Sequence, residues 1–334
     1  MKLRVGVVGV GSGWDSRHRL ALLSLSDRFE IRAVCCDVAQ RAEQIAREFD
    51  AIVVDGYRSL SVREDIDAVL MLAPGWYGSL PILAACDAGK AIYCAAALDL
   101  DAERLQEVKN RIEESGVAFM AELPRRHAPA TVRLKELIAT QLGQPKMLFC
   151  HRRQPVIKQG RTDEQLKDGS RDFIELVDWC RYVVGRDPTS VFGVTHRDAE
   201  SEESDYQMMS LDFSMPDSPG VGPLAHISCG EYMPATWQEA IGFRPPAALQ
   251  VACQRGIAFI DLPATLIWFD EAGRHMESLE SERPVGEQML MRFHRATTSL
   301  VRKSSDLEDA YRAIQIVLSA HRSAESGVRV LIDD

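Results

Sequence analysis

What the chain has little of narrows it first. No apolar run approaches the ~20 residues that a helix needs to cross a bilayer, so no membrane partner is expected. Neither Lys nor Arg gathers into a long run and the formal net charge is −10, which argues against nucleic acid or an anionic lipid surface as partner. Eight cysteines form no CxxC pair and eight histidines no HxxxH spacing, so neither a metal site nor a disulfide framework is indicated. Most of the cysteines lie inside apolar runs, the pattern of reduced, buried thiols in a cytoplasmic protein. Met1-Lys2 leads directly into a strand-like run, so no secretion signal is expected. Repeats and low-complexity segments are absent from the sequence. At 334 residues, 46% hydrophobic and 26% charged, the chain has the length and balance of about two ordinary globular domains.

The first thirty-seven residues say most. Leu3 to Val8 reads as a buried strand that runs into Gly9-Val10-Gly11-Ser12-Gly13, then a helical pattern, then a second apolar run from Ile31 to Cys36 that stops at Asp37. Strand, glycine turn, helix, strand and acid is the order of a dinucleotide-binding unit. Glycines allow the tight turn and a close approach of backbone to a pyrophosphate, the helix N-terminus offers N–H groups, and the acid accepts hydrogen bonds from ribose hydroxyls. Asp37 would repel a 2′-phosphate, so NAD is expected before NADP.

Residues 1–122 continue to alternate strand and helix patterns, which predicts a parallel Rossmann sheet covered on both faces. Residues 123–334 read differently. A helix opens at Pro129 and ends at Gly143, a polar loop spans 154–169, and a helix runs from Ser170 to Gly185. Strand-like runs follow at 189–197, 206–214, 224–232, 248–253, 256–262 and 265–269, with the acidic run Glu200–Asp205 read as a solvated turn. A last helix at 306–323, able to pack back towards the first domain, precedes a final strand at 328–332. The expectation is a second, α+β domain with a large, mostly antiparallel sheet for substrate binding and self-association as a homodimer or homotetramer.

Several segments, in order, carry a family resemblance: the glycine turn with His18 after it, Ala33 to Asp37, Asp65 to Leu70 before Ala73-Pro74, and Ala88-Gly89-Lys90 leading to Cys94. Arg125-Arg126-His127-Ala128-Pro129 and Ser323-Ala324-Glu325-Ser326-Gly327 complete the set. Together they resemble the Gfo/Idh/MocA family of NAD(P)-dependent oxidoreductases, which act mostly on sugars, cyclitols and related polyols. The resemblance implies cofactor contacts from Gly9, Val10, Gly11, Ser12, Gly13, Trp14, Asp37, Ala73, Pro74 and Trp76. It implies a small-molecule substrate, for which Arg125 and Trp237 are candidate contacts.

The departures matter as much. After Cys94 the family pattern has Glu-Lys-Pro, and here stand Ala95-Ala96-Ala97. After Ala73-Pro74 it has Asn-x-x-His, and here stand Gly75-Trp76-Tyr77-Gly78. On the first long helix of the second domain the family's Asp, His and Asp positions hold Arg171, Glu175 and Asp178, the remaining candidates for catalysis. These three share a helical stripe opposite Phe173, Leu176, Val177, Cys180 and Val184, which reads either as a cleft lining or as a solvated face with an i,i+4 ion pair. Hydride transfer from an alcohol needs a group to take the hydroxyl proton. Ala96 cannot, and Glu175 would have to do so one turn from Arg171. Three functions therefore stand: an oxidoreductase whose acid–base group has moved, a nucleotide- or ligand-binding homologue without redox chemistry, and a cofactor-assisted elimination or hydrolysis, which begins with the same hydride step and shares the missing lysine. The third position of the glycine fingerprint falls at Trp14 unless Gly13 shifts the register by one residue.

Overall fold

The computed structural model describes residues 2–11, 13–73, 77–95, 101–156, 163–197, 204–215, 217–218, 220–234, 248–279, 283–299 and 306–332. The chain forms two compact units, residues 1–124 with 283–314 and residues 125–282 with 315–334.

The first unit is a six-stranded parallel sheet: β1 (Leu3–Val8), β2 (Phe29–Cys35), β3 (Ile52–Val53), β4 (Ala68–Met71), β5 (Ala91–Cys94) and β6 (Phe119–Ala121), in the order β3-β2-β1-β4-β5-β6. That is the doubly wound order, with the reversal between β1 and β4. Its central strands are apolar on both faces because helices cover both. Helices α1 (Arg19–Ser24), α2 (Ala39–Phe49), α3 (Tyr57–Ser61), α4 (Leu80–Asp87) and α5 (Ala102–Ser115) connect the strands. Asp101 caps α5 by accepting from the Arg104 amide at 2.9 Å, and Gly116 ends it in the left-handed region.

Sequence reasoning missed one member of this core. Residues 283–314, counted with the second domain from the sequence, group with the first unit. Their helix was not anticipated. Its residues Met289, Leu290 and Phe293, spaced i, i+1 and i+4, are buried in one cluster with Leu3, Val5, Leu22 and Tyr93.

The second unit is built on nine strands: β7 (Pro145–Val156), β8 (Ser190–Arg197), β9 (Ser204–Asp212), β10 (Leu224–Pro234), β11 (Leu249–Cys253), β12 (Ile257–Asp261), β13 (Thr265–Asp270), β14 (Gly273–Ser278) and β15 (Val330–Leu331). Their order is β14-β13-β12-β11-β7-β10-β9-β8-β15. Every pairing is antiparallel except β7 with β10. The sheet was expected, but β7 and β14 were not. β7 runs into a stretch taken for a loop on its polarity, and β14 is a polar edge strand.

The short α6 (Pro124–His127) and α7 (Pro129–Leu137) precede β7, and α8 (Asp163–Val184) follows it. α8 begins at Asp163, seven residues before the expected Ser170. Asp163 and Glu164 are acids of the kind that favours a helix start. α8 packs on β7 and β10, burying Phe173, Leu176, Val177, Trp179 and Cys180. Ser204 and Asp205 of the acidic run lie in β9, and residues 200–203 fall outside the described residues.

Two further helices complete the chain, α9 (Val285–Thr298) and α10 (Asp306–Ser326). The later part of α10 packs so tightly on β8 that a Cβ added to Gly193 would lie 2.1 Å from the Ala320 carbonyl oxygen. The other face of the sheet carries Met147, Phe149, Ile257, Phe259, Ile267, Phe269 and Met276 in register, an apolar surface that is partly or largely exposed.

Candidate functional site

In the first unit the candidate site is the turn after β1. Gly9 takes φ +69° and donates its amide to the Cys35 carbonyl at 2.8 Å. A Cβ there would sit 2.3 Å from the Ala73 carbonyl oxygen, and one on Gly11 3.2 Å from that of Leu72. Both glycines thus let the turn press against the chain leaving β4: no side chain fits at Gly9, and one at Gly11 would be tight. Val10 and Trp14 are buried, Trp14 edge-on to Phe49 at 6.0 Å. Asp37 is exposed at the end of β2, its Oδ1 accepting from the Val38 amide at 3.0 Å. Among the expected cofactor contacts, Ser12, Pro74 and Trp76 lie outside the described residues, as does Ala96.

The chain after Gly13 takes an unusual turn. Residues Trp14–His18 form a π-helical turn, in which the His18 amide donates to the Gly13 carbonyl at 3.2 Å and the Arg19 amide to that of Trp14. A π turn accommodates one more residue than an α turn. Gly13 precedes that turn, and Trp14 can be large because its side chain fills the core towards Phe49.

Below the turn lies a polar network that sequence reasoning did not find. Glu122, just after β6, has a fully buried carboxylate. Its Oε2 accepts from Tyr93 Oη at 2.9 Å and faces His18 Nε2 at 2.7 Å, and its Oε1 accepts from Arg17. Charge-assisted hydrogen bonds from several donors are what make such a burial tolerable. The available signal was a lone acid directly after the apolar run Val117 to Ala121.

Tyr77 stands beside the end of β2. Its hydroxyl is 3.8 Å from Cys35 Sγ and its ring is edge-on to Tyr57 at 5.0 Å. Burial, reinforced by the neighbouring Cys35, pushes its phenol up to about 12. Burial likewise pushes the Cys36 thiol up to about 12.

In the second unit, the three helix positions do not share one environment. Asp178 was read as part of a polar stripe, yet it is 1% exposed. Its Oδ2 accepts from Arg126 Nε at 2.9 Å and its Oδ1 from the same guanidinium. The bidentate pair explains how an acid can lie on the buried side of α8. Glu175 Oε1 accepts from Arg171 Nε at 3.1 Å, the i,i+4 pair expected from the sequence. Its Oε2 lies 3.1 Å from Arg125 Nε, off the axis of that N–H. Arg125 and Arg152 each also donate to Asp172, at 2.9 and 3.0 Å. Arg125 is thus held in an ion cluster, and Trp237 lies outside the described residues.

Residues 3–123 match the Gfo/Idh/MocA family model, described as an oxidoreductase family with an NAD-binding Rossmann fold. Over those residues the chain is similar to that family's NAD-binding Rossmann unit. Inositol 2-dehydrogenase 2 of Mycolicibacterium vanbaalenii is 32% identical over 199 residues, covering 57% of this chain and 56% of that protein. The 2,7-anhydro-N-acetylneuraminate hydratase of Mediterraneibacter gnavus is 25% identical over 222 residues, covering 63% and 59%. The chain spans little more than half the length of these curated relatives. The whole fold is similar to that of the aldose-aldose oxidoreductase of Caulobacter crescentus, with a TM-score of 0.82 at 14% identity over 99% of this chain and 100% of that one. No helix among the described residues is long and apolar enough to cross a membrane.

Proposed function

We propose that this protein is a member of the Gfo/Idh/MocA family that binds a nicotinamide dinucleotide in its first unit, NAD(H) in preference to NADP(H), and a small sugar-, cyclitol- or polyol-like molecule through its second. The observation that carries the cofactor reading is the glycine turn pressed against the Ala73 carbonyl, with Asp37 exposed at the next strand end. A backbone with no side chains in the way suits a diphosphate, and an exposed carboxylate suits two ribose hydroxyls but not a 2′-phosphate. The inositol dehydrogenases among the relatives support the substrate class. A bound dinucleotide would supply the hydride acceptor or donor. The chain would serve as a cytoplasmic homo-oligomer.

A second reading, a binding protein with little or no redox turnover, is favoured by Glu175. Both of its carboxylate oxygens face guanidinium groups, and Ala96 stands where the family has lysine. Neither family position then offers a proton acceptor. Losing a positioned acid–base group typically costs about 10²–10⁴-fold in rate.

Calorimetric titration with NADH and NADPH tests the cofactor, and tighter binding of NADPH contradicts it. A panel of polyols assayed by absorbance of reduced cofactor separates the two functions. Weak or absent turnover is expected, run beside the Ala96→Lys, Glu175→His double variant. Robust turnover by the unaltered protein would require a base elsewhere.

A further inference from the structure

One buried atom at the glycine turn has no hydrogen-bond partner among the described residues: Nδ1 of His18. The residue is 2% exposed, so bulk water does not satisfy it. The π turn brings it there. With five residues per hydrogen-bonded turn instead of four, His18 stacks beneath Gly13, and a Cβ on Gly13 would lie 3.3 Å from His18 Cε1 and 3.6 Å from Nδ1. The Cε1–Nδ1 edge of the ring therefore faces the turn itself.

The opposite edge is fixed. Nε2 is 2.7 Å from Glu122 Oε2, and Tyr93 lies edge-on to the imidazole at 6.4 Å. Glu122 accepts, so Nε2 carries the proton it donates, and Nδ1 is the ring's one open position. Arg17 and Tyr93 complete the carboxylate from their own sides. An anchored ring with one polar atom turned towards a glycine turn is arranged to meet something placed at that turn. Native proteins rarely leave such an atom unmatched.

We propose that His18 is a positioning residue for the dinucleotide, its Nδ1 completing a hydrogen bond to the diphosphate held at the glycine turn, directly or through one water. This rests on the cofactor reading above and adds to it a residue outside the glycine fingerprint. A doubly protonated ring donates straight to a phosphate oxygen, and a singly protonated ring accepts from a bridging water.

Two half-isosteric substitutions divide the ring's two jobs. Gln in place of His18 reaches the Nε2 position and keeps the Glu122 contact while removing Nδ1. Asn retains a polar atom near Nδ1 and gives up Glu122. Binding of NADH, ADP-ribose and adenosine to the full chain is measured by calorimetry, with adenosine followed by displacement of NADH. His18→Gln is expected to weaken ADP-ribose and NADH roughly 10-fold or more, as for loss of a hydrogen bond to a charged group, with adenosine and the melting temperature nearly unchanged. His18→Asn is expected to melt lower yet bind ADP-ribose within about 3-fold of the unaltered protein. ADP-ribose bound by His18→Gln as tightly as before, or adenosine weakened as much as ADP-ribose, overturns the proposal. If the unaltered protein binds none of the three, the cofactor reading itself has failed. Nitrogen NMR of His18 in the unaltered chain gives the same answer without a variant: Nδ1 should shift on adding ADP-ribose and not on adding adenosine.

Discussion

Replacing Asp178 with alanine should destabilise the second unit far more than an ordinary surface change. The carboxylate is 1% exposed and takes both arms of Arg126, itself 7% exposed, while Arg181 Nη1 lies 3.9 Å away. Removing one partner of a buried pair leaves the other charge without compensation, at a cost of about 3–5 kcal/mol. In a unit of this size each kcal/mol moves the midpoint by roughly 2–4 °C, so a drop of roughly 6–20 °C is expected. Asp178→Asn keeps the shape and should fall in between. Arg126→Met combined with Asp178→Leu should recover much of the loss, because an apolar pair carries no buried charge. Differential scanning calorimetry with denaturant titration measures all three. If Asp178→Ala melts within about 2 °C of the unaltered protein, the structural reading is wrong. Asp178 would then have to be reconsidered as a substrate contact.

Gly9→Ala should destabilise the first unit by more than the ~1–2 kcal/mol of the left-handed backbone alone, since the new methyl meets the Ala73 oxygen at 2.3 Å; a wild-type denaturation midpoint would refute this. His151, His226 and His321 all have their imidazoles pushed below the ordinary 6.5, by burial first. The unfolded chain then binds more protons, so the second unit should lose stability as pH falls through about 6.5. The lowered carboxylates, such as Asp270 beside His275 and Glu277 beside Arg133, contribute only below their unfolded values of 3.8 and 4.5. Melting curves at pH 7.5, 6.5 and 5.5 should therefore slope in the unaltered protein and flatten when the three histidines become asparagine. Finally, the apolar sheet face bearing Met147, Phe269 and Met276 is expected to be covered by self-association. Light scattering that gives the 37.2 kDa monomer at micromolar concentration would contradict that.

The first unit was legible in the sequence because its signals are local. Gly9, Gly11 and Asp37 stand at fixed distances from apolar strands, and the parallel sheet follows from alternating periods. Most strands of the second sheet were also visible from alternation and turns. What escaped depends on partners distant in the chain. Asp178 looked like one member of a polar stripe because Arg126, fifty-two residues earlier, cannot be paired with it by periodicity. Glu122 and His18 are 104 positions apart, and neither is unusual until the fold joins them. The helix Val285–Thr298 was not anticipated, and even its apolar spacing could not have named its owner, since nothing local says that Phe293 belongs beside Tyr93.

The return of residues 283–314 to the first unit has a consequence for how the protein is made. Met289, Leu290 and Phe293 belong to a core whose other members leave the ribosome before residue 124. Residues 125–282 must be synthesised before that core can close. At the usual 5–20 residues per second, the interval is on the order of ten to thirty seconds. Throughout it the apolar face awaiting Val285–Thr298 has no cover from its own chain. The newly made Rossmann sheet is thus a natural client for chaperones, and a ribosome stalled before residue 283 would release a first domain lacking part of its core.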